Sequence, residues 1–596
     1  MAIETRADTG TGPGARRPAA VTGPAAGPAP DDDGDSDSDH VRRRARPDPV
    51  ALVAAALVLV PTLAALVSAL RHEWVPTNDW ALLELAVRDV GTADTPLLGA
   101  WSRFGWRHPG PLPFYVLAIP FRLAPSGAAL LAAAATVNLL AVAACAALAL
   151  RHPRCRALVL LAGLAALQLG LGVDQLADPW NPTLPILPFA LYVLLCLELV
   201  VAPRRWTVPA AAAVASFVVQ AHVGFAQPVL LVGVVAVALW ALWARERPGG
   251  ARLPSWRRMV PTGVVLAVAW LPVAIDQVAG TGNMGMLVRW SLGREVSPGM
   301  GELTEGRLPF DRVAGSAAWL LTPIGSWLGR ADPIDVFGYQ LLGTSAPLWL
   351  AWVPLALAGA VLLARRTGRA EDRRAVTAAA ALAATGAVAT LTDLATAEGA
   401  PVHWPFRWVG VVVMLTWVTV GWAAAAALVR RYPALDRPIT LRPLRVAPLA
   451  GAAAGVGLVA LPVAVALWSG TLGRQPEQAE SDALLRLAPA IEREARRRPV
   501  VVANSTVLLN PLDLGLPVVL ERAGIPWVEH DDPRAAGHWQ LTLAPADVLD
   551  GFMTVLVEDG HADVLARSGP ARPGEAPDSE VVLIAYDPDA DLTGLT

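Results

Sequence analysis

The sequence predicts an α-helical polytopic membrane protein with about eleven transmembrane helices and a small extracytoplasmic α/β domain at its C-terminal end. Three observations carry this expectation. The 596 residues are 54% hydrophobic and only 17% charged, with a mean hydropathy of +0.45, against roughly 45–50% apolar and 25% charged in ordinary soluble domains. Apolar runs long enough to cross roughly 30 Å of hydrocarbon recur through residues 48–470. Beyond residue 470 the runs shorten and take strand and helix periods in turn.

The same composition removes several classes of function. No lysine occurs, so all 48 basic residues are arginine, and a Walker A loop or a lysine Schiff base cannot be built. A net charge of −3 with scattered arginines offers no basic face of the kind nucleic acid needs. Cys145, Cys155 and Cys196 lack the paired spacing of a disulfide framework or a metal knuckle.

Taken in order, residues 1–47 are rich in Pro, Gly, Ala and Asp and cannot bury enough apolar surface to order themselves, so a disordered cytoplasmic tail is expected. Its acidic run Asp31 to Asp39 reads as a solvated like-charge block, not a metal site. Arg42, Arg43, Arg44 and Arg46 precede the first apolar run, Val50 to Leu70, which makes that run an uncleaved anchor starting on the cytoplasmic side. Further runs lie at about 126–150, 157–173, 184–202, 207–223, 226–244, 259–279, 345–364, 375–392, 407–429 and 446–469. With the N-terminus inside, every cytoplasmic connection is arginine-rich, for example Arg151/Arg154/Arg156 and Arg365/Arg366/Arg369, while those near 174–183, 223–226 and 393–404 have none. An odd number of spans then places residues 471–596 outside, tethered by the polar stretch near Arg474–Ser481. Within them Pro499–Asn504, Pro526–His530 and Val581–Tyr586 read as strands and Pro511–Ala523 as a helix. The sequon Asn504-Ser505-Thr506 is a triplet common by chance.

Polar residues collect at the outer helix ends, most densely in the first outer loop, 71–115. From Asp79 to Val90 the residues Trp80, Leu83, Val87 and Val90 recur at helical spacing, with Glu84 and Arg88 four apart. An amphipathic helix on the bilayer surface is expected, with Asp79 at its start, just beyond the first span. A carboxylate there suits a general base acting on a lipid phosphate substrate, or a plain helix cap. Glu84 is the second candidate acid, or the partner of Arg88 in an i,i+4 pair. Arg88, Asp89, Arg103, Arg107 and His108 complete the loop's candidate substrate-binding groups, its arginines able either to fork onto a phosphate or to anchor at the interface. Asp178 and Asn181 in the loop 174–182, His222 near a span end, and His403 with Arg407 at a late span are further candidates, each also explicable as a turn, an interhelical hydrogen bond or an aromatic-belt anchor.

At these residues the chain resembles the GT-C superfamily of integral membrane glycosyltransferases, which includes protein mannosyltransferases, aminoarabinose transferases and actinobacterial arabinofuranosyltransferases. The likeness spans most of 48–470: a many-span body, a long first outer loop, an acid just after the first span, Asp79, and a soluble outer domain. It implies that Asp79 is the catalytic base and that the donor is a sugar on a polyprenyl phosphate. Asn78-Asp79-Trp80 lacks the adjacent second acid of the family's paired form, the nearest acids being Glu84 and Asp89. No Asp-x-Asp occurs in the loop, which points to the metal-independent branch, with no cofactor. The lysine-free, alanine- and arginine-rich composition looks like that of a high-GC actinobacterium. The resulting expectation is sugar transfer, with inversion, to an envelope glycan, lipid or protein on the outer face of the cytoplasmic membrane, with Arg103, Arg107 or Arg407 stabilising the departing phosphate. A transporter or flippase of lipid-linked or polar solutes is the second reading, though such proteins carry charge near the bilayer midplane. A non-catalytic scaffold for envelope assembly is the third.

Overall fold

A computed structural model of the chain describes residues 48–102, 104–123, 127–245, 256–293, 307–324, 341–397, 402–436, 446–497, 500–502, 514–529, 540–545, 562–569 and 581–586. The expected tail, Arg103 and the sequon at 504–506 lie outside them.

Helix α1, Pro49–Ala69, opens at Asp48, whose side chain accepts from the Val50 amide at 2.9 Å and so satisfies one free N–H of the first turn. The first loop then folds into α2, Asn78–Asp89, and α3, Leu112–Leu123. The bundle continues with α4, Gly127–Ala149; α5, Arg154–Leu171; α6, Ile186–Val201; α7, Thr207–Ala221; α8, Ala226–Arg245; and α9, Trp256–Ala279. Two short helices follow at one end, α10, Asn283–Ser291, and α11, Phe310–Leu320, before α12, Trp352–Thr367; α13, Ala370–Thr396; α14, Val409–Arg431; and α15, Val446–Trp468.

Among the described residues nine helices are long and apolar enough to cross a membrane. These correspond to nine of the eleven apolar runs. The other two, 184–202 and 207–223, fold as α6 and α7, of only 16 and 15 residues. Pro182 and Pro185 hold back the start of α6, and α6 is buried on nearly every face, so its sequence shows no lipid-facing stripe. By contrast α8 presents Leu230, Val234 and Val237 at the surface, as a helix bathed in hydrocarbon does. Inside the bundle α1 packs on α4, α5 and α15, and α14 on α5, α12 and α13. One polar group there bridges two helices: Thr62 donates to Gln168 Oε1 at 2.6 Å and Gln168 Nε2 to the Val58 carbonyl at 2.9 Å, beside Pro61, which loosens the backbone ladder of α1.

The two ends of the bundle differ. At one, the arginine end, Arg151 Nη1 and His152 Nε2 each stand 3.0 Å from the Glu198 carboxylate, Arg154 pairs with Asp48, and Arg156 lies 3.6 Å from Asp372. The other, the loop end, carries α2, α3, α10, α11 and the C-terminal α/β layer. That layer consists of α16, Gln478–Ala495; β1, Val500–Val502; α17, Gly515–Arg522; β2, Trp527–Glu529; β3, Gln540–Pro545; β4, Ala562–Arg567; and β5, Val581–Tyr586. Its sheet runs β2-β1-β3-β5-β4, parallel through the first three strands and antiparallel through the last. Leu484, Leu487 and Ile491 of α16 cover the sheet together with Leu516 and Leu520 of α17.

Two expectations are corrected here. Helix α2 does not lie on a bilayer surface: Leu83 and Val87 enter the bundle core while Ala81, with Val75, enters the core of the α/β layer. Two sides of the helix are thus covered by protein, the bundle on one and the α/β layer on the other. Likewise the stretch near Arg474–Ser481 is no free tether. Trp74 Nε1 donates to the Pro476 carbonyl at 2.9 Å and the Val75 amide to Ser481 Oγ at 2.8 Å, and α16 begins within it.

Candidate active site

Asp79 stands in the first turn of α2, where the helix dipole favours a negative charge. Its Oδ2 accepts from Trp180 Nε1 at 2.9 Å. One side of Asp79 is open to solvent, yet surrounding protein strips enough water to raise its carboxyl above the ordinary carboxylate range, an effect the Trp180 indole partly offsets. The next residue reciprocates: Trp80 Nε1 donates to Asp178 Oδ1 at 2.7 Å, and the Trp180 amide donates to the same oxygen at 2.9 Å. Two Asp/Trp sets, from α2 and from the loop 174–182, thus exchange indoles. Their rings lie 5.3 Å apart, and Trp404 adds a third at 5.6 Å from Trp180.

Asp178 is 2% exposed. Burial raises its carboxyl, opposed by the indole and amide donors and by the charge of Arg407. Arg407 in turn donates to Gln175 Oε1 at 2.7 Å. The structure therefore brings together Asp79, Asp178 and Arg407, three of the candidates, and joins to them Trp80, Trp180, Trp404 and Gln175. Asn181, half-buried beside Trp180, contributes no hydrogen bond to the group among those described.

A second cluster adjoins through Pro405 and Gly224. A Cβ on Gly224 would lie 3.0 Å from His222 Nδ1 and 3.9 Å from the Pro405 carbonyl. His108 and His222 stack with centroids 4.5 Å apart. The Val223 amide donates to His108 Nδ1 and the Gly224 amide to His222 Nδ1, both at 3.1 Å. A ring nitrogen that accepts from a backbone N–H carries no proton, so each neutral imidazole bears its hydrogen on Nε2. Burial favours the neutral rings, lowering His222 to about 4 and holding His108 well below its ordinary value, the latter with help from its neighbour. The result is two fixed N–H donors side by side.

Arg107 is exposed, and its peptide is fixed on both sides by the Asn283 amide at 2.8 Å. Asn283 is held in turn by Asp276, which accepts from the Thr281 and Asn283 amides at 2.9 and 3.1 Å. His403, next to Trp404, is buried edge-on against Trp319 at 5.1 Å.

Glu84 is corrected as a candidate acid. It is wholly buried and takes Arg88 Nη2 at 2.9 Å on one oxygen and Arg522 Nη2 at 2.7 Å on the other. Arg522 also donates to the Trp74 carbonyl at 3.0 Å. A wholly buried carboxylate enclosed by two guanidiniums does not reach an acceptor, and Glu84 instead clamps α17 onto α2. Arg88 is the other jaw, with Phe121 beneath it at 5.1 Å, and is no free phosphate ligand. Asp89 belongs to a separate acidic corner, where burial and then Asp94 and Glu521 raise its carboxyl.

Sequence reasoning missed the tryptophans, although Asp79-Trp80 and Asp178-Pro179-Trp180 repeat a pairing that signals them. It also missed Glu477. Thr77 donates its hydroxyl to Glu477 Oε2, and Asn78 Nδ2 donates to Oε1 at 3.3 Å. Among the described residues no group of three or more His, Cys, Asp or Glu side chains is placed to hold a metal ion.

No protein-family profile matches the chain, and no curated protein sequence does. Among the solved structures that match the chain are two of one protein. One is ArnT from Cupriavidus metallidurans bound to undecaprenyl phosphate, at 15% identity and a TM-score of 0.51, covering 90% of this chain and 98% of that one. The other is the apo state of the same protein, at 15% identity and 0.48, covering 89% and 97%. The likeness to the undecaprenyl-phosphate-bound structure shows a shared fold, a multi-pass helical body with a C-terminal α/β layer, as anticipated.

Proposed function

We propose that the protein is a membrane glycosyltransferase that moves a sugar from a polyprenyl-phosphate donor to an envelope acceptor, with Asp79 as general base. The observation that carries this reading is the solvent-open Asp79 carboxylate, aimed by an indole and receiving no guanidinium among the described residues. In the proposed step Asp79 takes the proton of an acceptor hydroxyl while that oxygen bonds to the anomeric carbon. The carbon–oxygen bond to phosphate breaks, its electron pair leaves on the polyprenyl phosphate, and one displacement inverts the anomeric centre.

Arg407, and Arg107 on its pinned peptide, supply positive charge for the departing phosphate. The accessible faces of Trp180 and Trp404 suit the C–H faces of a sugar ring, and the paired imidazole N–H groups suit its hydroxyls. The likeness to a fold crystallised with undecaprenyl phosphate supports a lipid-linked donor. The arginine-rich connections support placing the loop end on the outer face of the cytoplasmic membrane.

The test is transfer from a panel of radiolabelled polyprenyl-phosphate sugars to envelope glycan fragments by purified wild type and a folded Asp79→Asn variant. Transfer that collapses in the variant supports both reaction and base. No transfer from any donor removes the reading.

A further inference from the structure

Two helices at the loop end start without caps of their own. Thr77 occupies the capping position of α2 and Glu477 that of α16, and neither side chain bonds to its own helix. Threonine at such a position ordinarily satisfies free N–H groups of the first turn. Here the two side chains are given to each other: the Thr77 hydroxyl donates to Glu477 Oε2, and Asn78 Nδ2 donates to Oε1 at 3.3 Å. The carboxylate therefore lies between the starts of two helices, each end positive.

The backbone is unusual at the same place. Asn78 at φ 50° and Glu477 at φ 44° are the only non-glycine residues in the left-handed region among those described, and they touch. Strain of this kind persists only where the surroundings over-determine it, and it gathers at functional sites. The residue that follows Asn78 is Asp79.

We propose that Glu477 is the positioning residue for Asp79. Its carboxylate grips Thr77 and Asn78 and sets the left-handed turn from which Asp79 departs. This rests on the assignment of Asp79 as base, and it makes that base dependent on the seating of α16 against the first loop. The charged groups acting on Glu477 are Glu480, one turn along α16, and Asp79 itself. His72, Asp174 and Arg474 border the linker nearby.

The experiment titrates the Glu477 carboxyl directly, by its infrared C=O band in the purified full-length protein, assigned through its loss in Glu477→Gln. The charge of Asp79 helps to raise the Glu477 carboxyl, so Asp79→Asn is expected to move the Glu477 midpoint down. Thr77→Val keeps both charges but releases the grip. It is expected to lower kcat about tenfold or more with KM nearly unchanged, and it carries the test if Glu477→Gln fails to fold. An unmoved Glu477 midpoint in folded Asp79→Asn, or unchanged kcat in Thr77→Val, overturns the proposal. If no donor in the panel is turned over by wild type, the transferase reading falls, while the infrared midpoint still decides whether Glu477 and Asp79 are coupled.

Discussion

At the arginine end of the bundle one buried and two half-buried carboxylates meet cations: Glu198 with Arg151 and His152, Asp48 with Arg154, Asp372 with Arg156. At the loop end Asp79 and Asp178 are held by indole N–H groups instead. An arginine cancels a carboxylate's charge and depresses its basicity, which suits a joint between helices. An indole fixes direction through one hydrogen bond and leaves the charge in place, which suits a group that must take up a proton. The contrast is one of chemistry, not of location, because Glu84 lies near Asp79 yet takes two guanidiniums. Partner type thus separates the carboxylates tied to cations from the two tied to indoles, the proposed base among them.

The sharpest way to break this contrast is Asp79→Asn. Turnover of the lipid-linked donor is expected to fall by ~10²–10⁴-fold, with the melting temperature nearly unchanged; a variant that unfolds instead would place Asp79 with the joints. Next in size is Glu84→Gln, which leaves Arg88 and Arg522 without a counter-charge. A loss of about 2–4 kcal/mol in unfolding free energy is expected, at the lower side of buried-pair values because both guanidiniums keep some water. Turnover per folded molecule should survive, and its collapse in folded protein would return Glu84 to the chemistry.

The histidine pair gives a smaller effect with a definite sign. His222 and His108 titrate lower in the folded protein than unfolded, so between pH 6.5 and about 4 the unfolded chain binds more protons. Their contribution to stability is present above pH 6.5 and is lost as pH falls through that window. Replacing both by Gln should flatten part of the fall in melting temperature, read as a few degrees. Smallest is Trp180→Phe, which keeps the ring and removes the donor to Asp79. Losing a hydrogen bond to the charged form raises the Asp79 carboxyl, so the acid limb of the pH–rate profile should move to higher pH, with turnover reduced by about threefold to tenfold. An unmoved limb would mean that the indole does not tune Asp79.

What the sequence made legible was local. The apolar runs, helix α2 and the Glu84–Arg88 spacing follow from periods of 3.6 residues, and Asp79 could be picked out because it immediately follows the first span. Strands at 500–502, 527–529 and 581–586 were legible from β-branched runs, whereas β3 and β4, interrupted by polar and small residues (QLTLAP and ADVLAR), were not. Helix α16 carries Leu484, Leu487 and Ile491 at helical spacing but opens in a polar stretch that looked like a linker. The site's deciding contacts were hidden because they join distant segments: Trp180 to Asp79 across 101 positions, Arg522 to Glu84 across 438. No local pattern reports that a carboxylate already has a partner from the far end of the chain.

Those separations also set an order of manufacture. The bonds Trp74 to Pro476 and Val75 to Ser481 span 402 and 406 residues, so the first loop is made and exposed while most of the bundle has yet to be synthesised. Through that interval Trp74, Glu84 and Thr77 lack their eventual partners, and non-local contacts of this kind form late because a long loop must close first. The turn carrying Asp79 is therefore among the last parts of the molecule to mature. A chain interrupted before residue 476 carries every long helix but lacks the contacts that seat the turn bearing Asp79, so on the proposed reading the fold holds back its base until the polypeptide is nearly finished.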